Sequence, residues 1–437
     1  MMRTLVADIA SSIGERVTVQ GWLHKKRLMG GLNFIVLRDR SGVAQALVDN
    51  KDEIEKLRAL QVGTILKLEG IVKADERAPG GAELHEVTVT VEVPVLDEPP
   101  IEIDKPLGHK SDNLDTLFDN RAIGLRNLQE RAIFEIQATL CRSMRQYFDD
   151  NGMTEMHTPK LLTEATEGGA EVFKLDYFGK EATLAQSPQF YKQMMVGVFE
   201  RVYEIAPVYR AEASATTRHM TEYTSIDGEM GFITLKDLEM FLSGLLRTAV
   251  DAAWAKHEVE LKRWNATKPL LPEEIPVITM AEIHERYSKA TGVSTIGEKD
   301  LRPDEERWIC EYAKKELKSE AVFVSEWPAS EMKFYHKANE VNSEIADRVD
   351  LLFRGVEITT GSMRENRYEV VVKQLKELAG ADPDDSGFMP FLSAMKYGMP
   401  PHGGFGMGLE RVTQKLLCLN NVKEATLFPR DMNRLAP

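Results

Sequence analysis

From residue 17 onward, apolar and polar side chains alternate in short runs. Val17, Val19, Gly21 and Leu23 share one parity, while Thr18, Gln20, Trp22 and His24 share the other, the period of a half-buried strand. Residues 33–38 and 43–48 predict a second and third strand, joined by the turn Arg40, Ser41, Gly42. The helical run KDEIEKLRAL follows, then two more strand-like runs, ILKLEGIVKA and ELHEVTVTVEVPV. Residues 98–126 are rich in Pro and Asp and read as a hinge. From residue 127 the period becomes helical. Ile133, Ile136, Leu140, Met144 and Phe148 fall on one face, and Asn151-Gly152 stops the helix. Strands and helices then alternate to the C-terminus without internal repeats.

Five strands with a helix after the third is the order of an OB-fold barrel, whose open face binds oligonucleotides. Its first hairpin, GWLHKKRLMGGLNF, sets three cations, a histidine and an aromatic around a Gly-Gly turn. Bases stack on rings while phosphates seek Lys and Arg, so the hairpin suits unpaired nucleic acid. A solvated hairpin with a core Phe has the same pattern. The expected layout is multidomain α+β: a barrel over 1–97, a hinge over 98–126, and a body over 127–437 built on an antiparallel sheet flanked by helices.

Composition narrows the function classes. Hydrophobic content of 43% and charged content of 28% are those of a globular protein. There is no apolar run long enough for a membrane span, and MMRTLVADIASS lacks the apolar core of a signal peptide. Cys141, Cys310 and Cys418 are scattered and outside any CxxC pattern, which points to reduced thiols in the cytoplasm and away from structural zinc. A net charge of -14 disfavours bulk nucleic-acid binding but leaves room for local basic patches.

Four stretches place polar groups where a core wants apolar ones. TEATEGGAEVF carries Glu167 before two glycines. LAQSPQFYKQ sets Gln189 and Lys192 on one face of a helix beginning at Ser187-Pro188. VYEIAPVYRAEASATTRHMTEYTSIDGEM reads as a strand ending at Arg210 and Glu212, a polar loop with Arg218 and His219, then a strand bearing Tyr223, Asp227 and Glu229. The last stretch is split between VDLLFRGVEITTGSMRE and YGMPPHGGFGMGLERVTQKLL. Singly, each suits a solvated face. Together they offer arginines for phosphates, paired carboxylates for a hard cation, and a Lys and Arg for an anionic small molecule.

A helix leading into MTEMHTPKL, the strand-loop-strand with YRAE and TTRHMTEY, and GFGMGLER resemble the three signature motifs of class II aminoacyl-tRNA synthetases. ATEGGAEVF, LAQSPQFYKQ and YGMPPHGGFGMGLER are similar to aspartyl enzymes of the archaeal and eukaryotic type, without the large bacterial insertion. The resemblance covers nearly the whole chain. It implies ATP-dependent attachment of aspartate to tRNA through an aspartyl-adenylate, with Mg²⁺ and a homodimer formed through the first motif. By resemblance, Arg210 and Arg411 are catalytic. Arg210, Glu212, Arg218, His219, Met220, Tyr223, Glu357, Gly408, Leu409, Glu410 and Arg411 bind ATP. Asp350, Glu357 and Thr360 form the metal site. Glu167, Gln189, Lys192, Asp227, Arg210, Arg364 and Thr360 bind aspartate, with Lys192 and Arg364 clamping its side-chain carboxylate. Two cations left unpaired by a neutral carboxamide would favour aspartate over asparagine.

Two departures stand out. Relatives usually read GGQR where this chain has Gly361, Ser362, Met363, Arg364, and the loop triplet Ala213, Ser214, Ala215 replaces a Glu-His-Asn-like one. In the barrel, the resemblance implies that Phe34 stacks on the central anticodon base, that Gln45 and Glu83 bond its edge, and that Arg27 tracks phosphate. His24 and Pro79 stand where discriminating relatives tend to carry Trp and Lys. That implies a non-discriminating enzyme charging both tRNA(Asp) and tRNA(Asn), with a tRNA-dependent amidotransferase downstream. The alternatives are a discriminating aspartyl enzyme, an asparaginyl-tRNA synthetase, and a non-catalytic RNA-binding paralogue.

Overall fold

The computed structural model describes residues 3–29, 32–107, 114–163, 171–213, 216–385 and 387–436. They form two compact units, divided between Arg131 and Ala132. The division lies inside the helix Leu128–Asp150, later than the 126/127 boundary that composition suggests. The Pro- and Asp-rich stretch is not bare linker. Ile101, Ile103, Leu117 and Phe118 are buried, and Arg121 pairs with Glu130 in full burial.

In the first unit, β1 (Arg16–Met29), β2 (Leu32–Arg38), β3 (Val43–Leu47), β4 (Ile65–Ala74) and β5 (Ala82–Val93) close a barrel in the order β1-β2-β3-β5-β4. The helix Lys51–Arg58 lies between β3 and β4, capped by the Asn50 side chain. Val17, Val19, Leu23, Ile35, Leu37, Ala44 and Ala46 fill the interior, as the alternation predicts. One feature breaks it: the β1–β2 register slips between Leu23 and Lys25, so His24 sits in a bulge.

The second unit is built on a large sheet. β6 (Thr154–Glu155) follows the long helix. β7 (Leu161–Leu162), β8 (Lys174–Tyr177) and β9 (Lys180–Leu184) form a separate three-stranded sheet. β10 (Arg201–Tyr209), β11 (Glu222–Gly231), β12 (Val277–Thr279) and β13 (Ala321–Ser325) come next, then β14 (Trp327–Pro328) paired with β15 (Ile345–Ala346). β16 (Arg348–Phe353), β17 (Val356–Arg364) and β18 (His402–Gly408) complete the eight-stranded order β12-β13-β16-β17-β18-β11-β10-β6. The five pairings from β13 to β10 are antiparallel, and the two edge pairings are parallel.

Strand period two gives this sheet two chemically different faces. Ile226, Met230, Val349, Leu351, Met363, Phe405 and Met407 join the core with the helices Leu128–Asp150 and Leu235–Arg263. The opposite parity carries Ser225, Asp227, Glu229, Asp350, Thr360, Ser362 and Arg364, which apolar burial does not explain. No described helix is long and apolar enough to cross a membrane.

Candidate active site

The polar face of the sheet floors a cavity of about 410 Å³. Three strands supply its pattern in register. Thr360, Gly406 and Asp227 lie side by side on β17, β18 and β11, and Ser362, Gly404 and Glu229 form the next row. Gly404 of the middle strand makes room for the acid beside it, whereas a side chain at Gly406 would stand at ordinary contact distance from its own. A Cβ on Gly404 would lie 1.9 Å from Glu229 Oε2, and one on Gly406 would lie 3.4 Å from Asp227 Oδ1.

Lys192 enters from the helix Gln189–Phe199 and is 1 % exposed. Its Nζ donates to Asp227 Oδ1 at 2.8 Å and to the Phe405 carbonyl at 2.9 Å, and stands 3.5 Å from Glu229 Oε2. Arg364 donates from Nε and Nη2 to Glu229 at 2.7 and 3.2 Å, and from Nη1 to Ser362 Oγ at 2.6 Å. Its guanidinium lies 5.4 Å from the Tyr335 ring centroid. Burial alone would raise the Glu229 carboxyl, but the Arg364 and Lys192 charges hold it below the usual carboxylate range. This corrects the sequence expectation of two cations awaiting a carboxylate. Each already has a buried acid, so a ligand carboxylate does not meet two unpaired cations. Gln189 Nε2, by contrast, is buried without a partner among the described residues, beside the same cavity.

The other end of the cavity is lined by Arg210, Glu212, Arg218, His219, Met220, Tyr223, Glu410 and Arg411. Arg210 follows the last residue of β10, and Arg411 lies in the first turn of the helix Leu409–Leu417. Arg411 Nη1 donates to the Glu357 carbonyl at 2.8 Å. Arg218 is held by Glu306 and donates to the Gly355 carbonyl. His219 lies 3.9 Å from Glu212, its imidazole lowered by burial against the opposing Glu212 charge. Glu410 accepts the Thr224 backbone N–H at 3.0 and 3.1 Å, and burial pushes its carboxyl up to about 7. Leu409, expected at this site, instead packs into the core on the far side of the sheet. Helix geometry explains the correction, since consecutive residues at a helix start point to different faces.

A bulge in the β16–β17 pairing skips Ile358. It brings Glu357 and Thr360 together, with the Thr360 hydroxyl donating to Glu357 Oε1 at 2.9 Å. Asp350 is the register partner of Thr360. Its carboxylate is gripped bidentately by Arg348 at 3.1 and 2.7 Å, and that guanidinium lies 4.1 Å from the Trp327 centroid. Burial pushes Asp350 up to about 6, opposed by Arg348 and aided by Glu357. Burial would raise Glu357 too, but Arg411 and Arg348 keep it below its usual range. No cluster of three or more acid, His or Cys ligands occurs among the described residues. Glu357, its side chain 35 % exposed, lines the cavity beside the arginines, while Asp350 is buried and outside that lining. One accessible carboxylate with a second close by in register fits Mg²⁺, which takes one or two protein carboxylates and completes its shell with phosphate and water.

Glu167 and the loop residues Ser214 and Ala215 lie outside the described residues. Sequence reasoning missed Arg348, Glu331, Lys333, Tyr335 and His336, all of which line the cavity. Arg348 was detectable, because it shares a strand face with Asp350 two residues on. The others carry no periodic signal.

On the barrel, Phe34, Val36, Gln45 and Leu47 face outward and are half-buried. Arg27 is the register partner of Phe34. Gln45 Nε2 donates to Glu83 Oε2 at 2.7 Å, and Glu83 Oε1 lies 2.8 Å from His85 Nε2. Pro79 opens the short turn Pro79–Gly81 before β5. His24 is half-buried at its bulge rather than exposed, and burial, then Arg38, lowers its imidazole to about 4.

Residues 113–432 match the family model described as tRNA synthetases class II (D, K and N), and residues 17–94 match the OB-fold nucleic acid binding domain. The chain is 43% identical over 437 residues, all of both chains, to the aspartate--tRNA(Asp/Asn) ligase of Thermus thermophilus. It is 38% identical to the aspartate--tRNA(Asp) ligase of Pyrococcus furiosus, covering 97% of each. Among solved structures, asparaginyl-tRNA synthetase from Pyrococcus horikoshii complexed with asparaginyl-adenylate superposes with a TM-score of 0.91 at 31% identity, over 100% of both chains. The chain therefore belongs to the class II tRNA synthetases of the D, K and N group, aminoacyl-tRNA ligases that here carry an N-terminal OB-fold anticodon-binding domain.

Proposed function

We propose that this enzyme attaches L-aspartate to tRNA(Asp) and tRNA(Asn) through an aspartyl-adenylate. The observation that carries the reading is the cavity itself, which joins Lys192 and Arg364 at one end to Arg210 and Arg411 at the other. Arg210 holds the amino acid's α-carboxylate against the α-phosphate of ATP, and its permanent charge stabilises the charge that develops on phosphorus. Glu212 reads the adenine edge, Tyr223 stacks on the ring, and Arg411 covers its other side. Arg218 and His219 receive the outer phosphates. Asp350 and Glu357, with Thr360 beside them, would hold Mg²⁺, which supplies neutralisation of phosphate charge when bound. No covalent enzyme intermediate is needed, so positioning and electrostatics carry the chemistry.

Asp227 and Gln189 take the substrate's ammonium end. The side-chain carboxylate meets Lys192 and Arg364 already paired with Asp227 and Glu229. Selection of aspartate over asparagine then rests on the wider positive field, to which Arg210 and Lys333 add. Names of relatives support both readings of the tRNA, one covering Asp/Asn and one Asp alone. His24 and Pro79 favour the former. A neutral, half-buried imidazole at the bulge supplies no cation, and proline supplies no backbone donor to a third base. The product on tRNA(Asn) would require a tRNA-dependent amidotransferase, and the enzyme would act as a cytoplasmic homodimer. The test is charging of tRNA(Asp) and tRNA(Asn) transcripts with labelled aspartate. Comparable charging of both supports the reading, and charging of tRNA(Asp) alone removes its non-discriminating part.

A further inference from the structure

Among the described residues Arg364 is held from two directions, by an acid and by a hydroxyl. Glu229 takes Nε and Nη2 along one edge of the guanidinium. Ser362, two residues earlier on β17, takes Nη1 at 2.6 Å. A guanidinium held along one edge can still rock about that edge, whereas a third acceptor on the remaining nitrogen fixes its plane. Strand alternation places the hydroxyl there. Ser362 and Arg364 share the polar face of the sheet, and Met363 between them points into the core. Ser362 is fully buried and does not line the cavity, while Arg364 does. The hydroxyl therefore reaches a ligand only through Arg364.

We infer that Ser362 is a positioning residue that sets the orientation in which Arg364 meets the substrate's side-chain carboxylate. The inference rests on the proposed role of Arg364 in aspartate binding. Glycine or alanine at this position has no acceptor for Nη1, and the hydroxyl is what this chain has where the family pattern has a second glycine. The tilt of the guanidinium sets which of its N–H groups point into the cavity. Ser362 thereby tunes affinity for a carboxylate side chain without touching ATP.

The test compares Ser362→Ala, Ser362→Gly, Ser362→Thr and Arg364→Ala in aspartate-dependent ATP–pyrophosphate exchange, with melting temperature measured alongside. Without the hydroxyl Arg364 is no longer held in line with the substrate carboxylate, and weakening that charge-assisted contact should raise the aspartate KM by about tenfold in the Ala and Gly variants. The ATP KM should stay near wild type, while the melting temperature should fall by a few degrees at most, because a buried N–H of Arg364 loses its acceptor. Thr keeps the hydroxyl and should restore the aspartate KM. Use of two hydroxyl-free variants guards against misfolding of one. If Ala and Gly leave the aspartate KM unchanged while Arg364→Ala raises it, the role of Ser362 is overturned and that of Arg364 stands. If ATP and aspartate KM rise together, the role is also overturned. If Arg364→Ala itself binds aspartate normally, the reading of Arg364 fails and takes this inference with it.

Discussion

Replacing Lys192 by Met tests whether the buried charge cluster is paired as described. The ammonium is 2.8 Å from Asp227 and 3.5 Å from Glu229, and all three side chains are almost fully buried. Removing one partner of a buried ion pair strands the other charge, at a cost of about 3–5 kcal/mol. Here the lower end applies, because Ser225 Oγ still donates to Asp227 Oδ2 at 2.5 Å and Arg364 still holds Glu229. Lys192→Met should therefore destabilise the second unit by roughly 3 kcal/mol. Lys192→Met combined with Asp227→Asn removes one charge of each sign, and it should recover more than half of that loss. Urea unfolding followed by tryptophan fluorescence reports the effect, since Trp254, Trp264, Trp308 and Trp327 all lie in that unit. Aspartate activation should be lost in both variants, because neither retains the cation. A single variant that unfolds at the wild-type urea concentration would refute the reasoning, as would a double variant less stable than the single one.

Glu410→Gln should change how stability depends on pH. Burial raises the native carboxyl from its usual 4.5 to about 7. Its contribution is present in full below pH 4.5 and is lost as pH rises through 7. At about 1.4 kcal/mol per pH unit, wild type should lose up to roughly 3 kcal/mol relative to the Gln variant between pH 4.5 and 8. Parallel stability profiles would exclude this. Gly404→Ala should be destabilising by about 1–3 kcal/mol or more from overpacking, because its methyl displaces Glu229 from Arg364, and unfolding midpoints measure it. Phe34→Ala should raise the KM for tRNA by roughly 5- to 100-fold, the loss of one stacked base, while pyrophosphate exchange stays at wild-type rate.

Much of this was legible in the sequence because strand and helix periods are local. The alternation Val17, Val19, Leu23 gave the barrel wall, and Gln189 and Lys192 fell on one helix face as their spacing required. Two kinds of feature were not legible. The bulges at His24 and Ile358 shift side-chain parity by one, and nothing in the residues on either side announces the slip. They half-bury His24 and bring Glu357 beside Thr360. The second kind is charge pairing across long sequence distances. Arg364 meets Glu229 because β17, β18 and β11 are neighbours in the sheet, and Lys192 meets Asp227 because the helix Gln189–Phe199 packs on β11. Reading Lys192 and Arg364 as cations awaiting a ligand missed the acids that pair with them.

Aspartate-dependent ATP–pyrophosphate exchange, run beside asparagine and lysine with the same preparation, tests the central claim most directly. The account predicts exchange with aspartate well above that with asparagine or lysine. Exchange driven by asparagine would contradict it and would assign the Lys192–Arg364 cluster to a carboxamide.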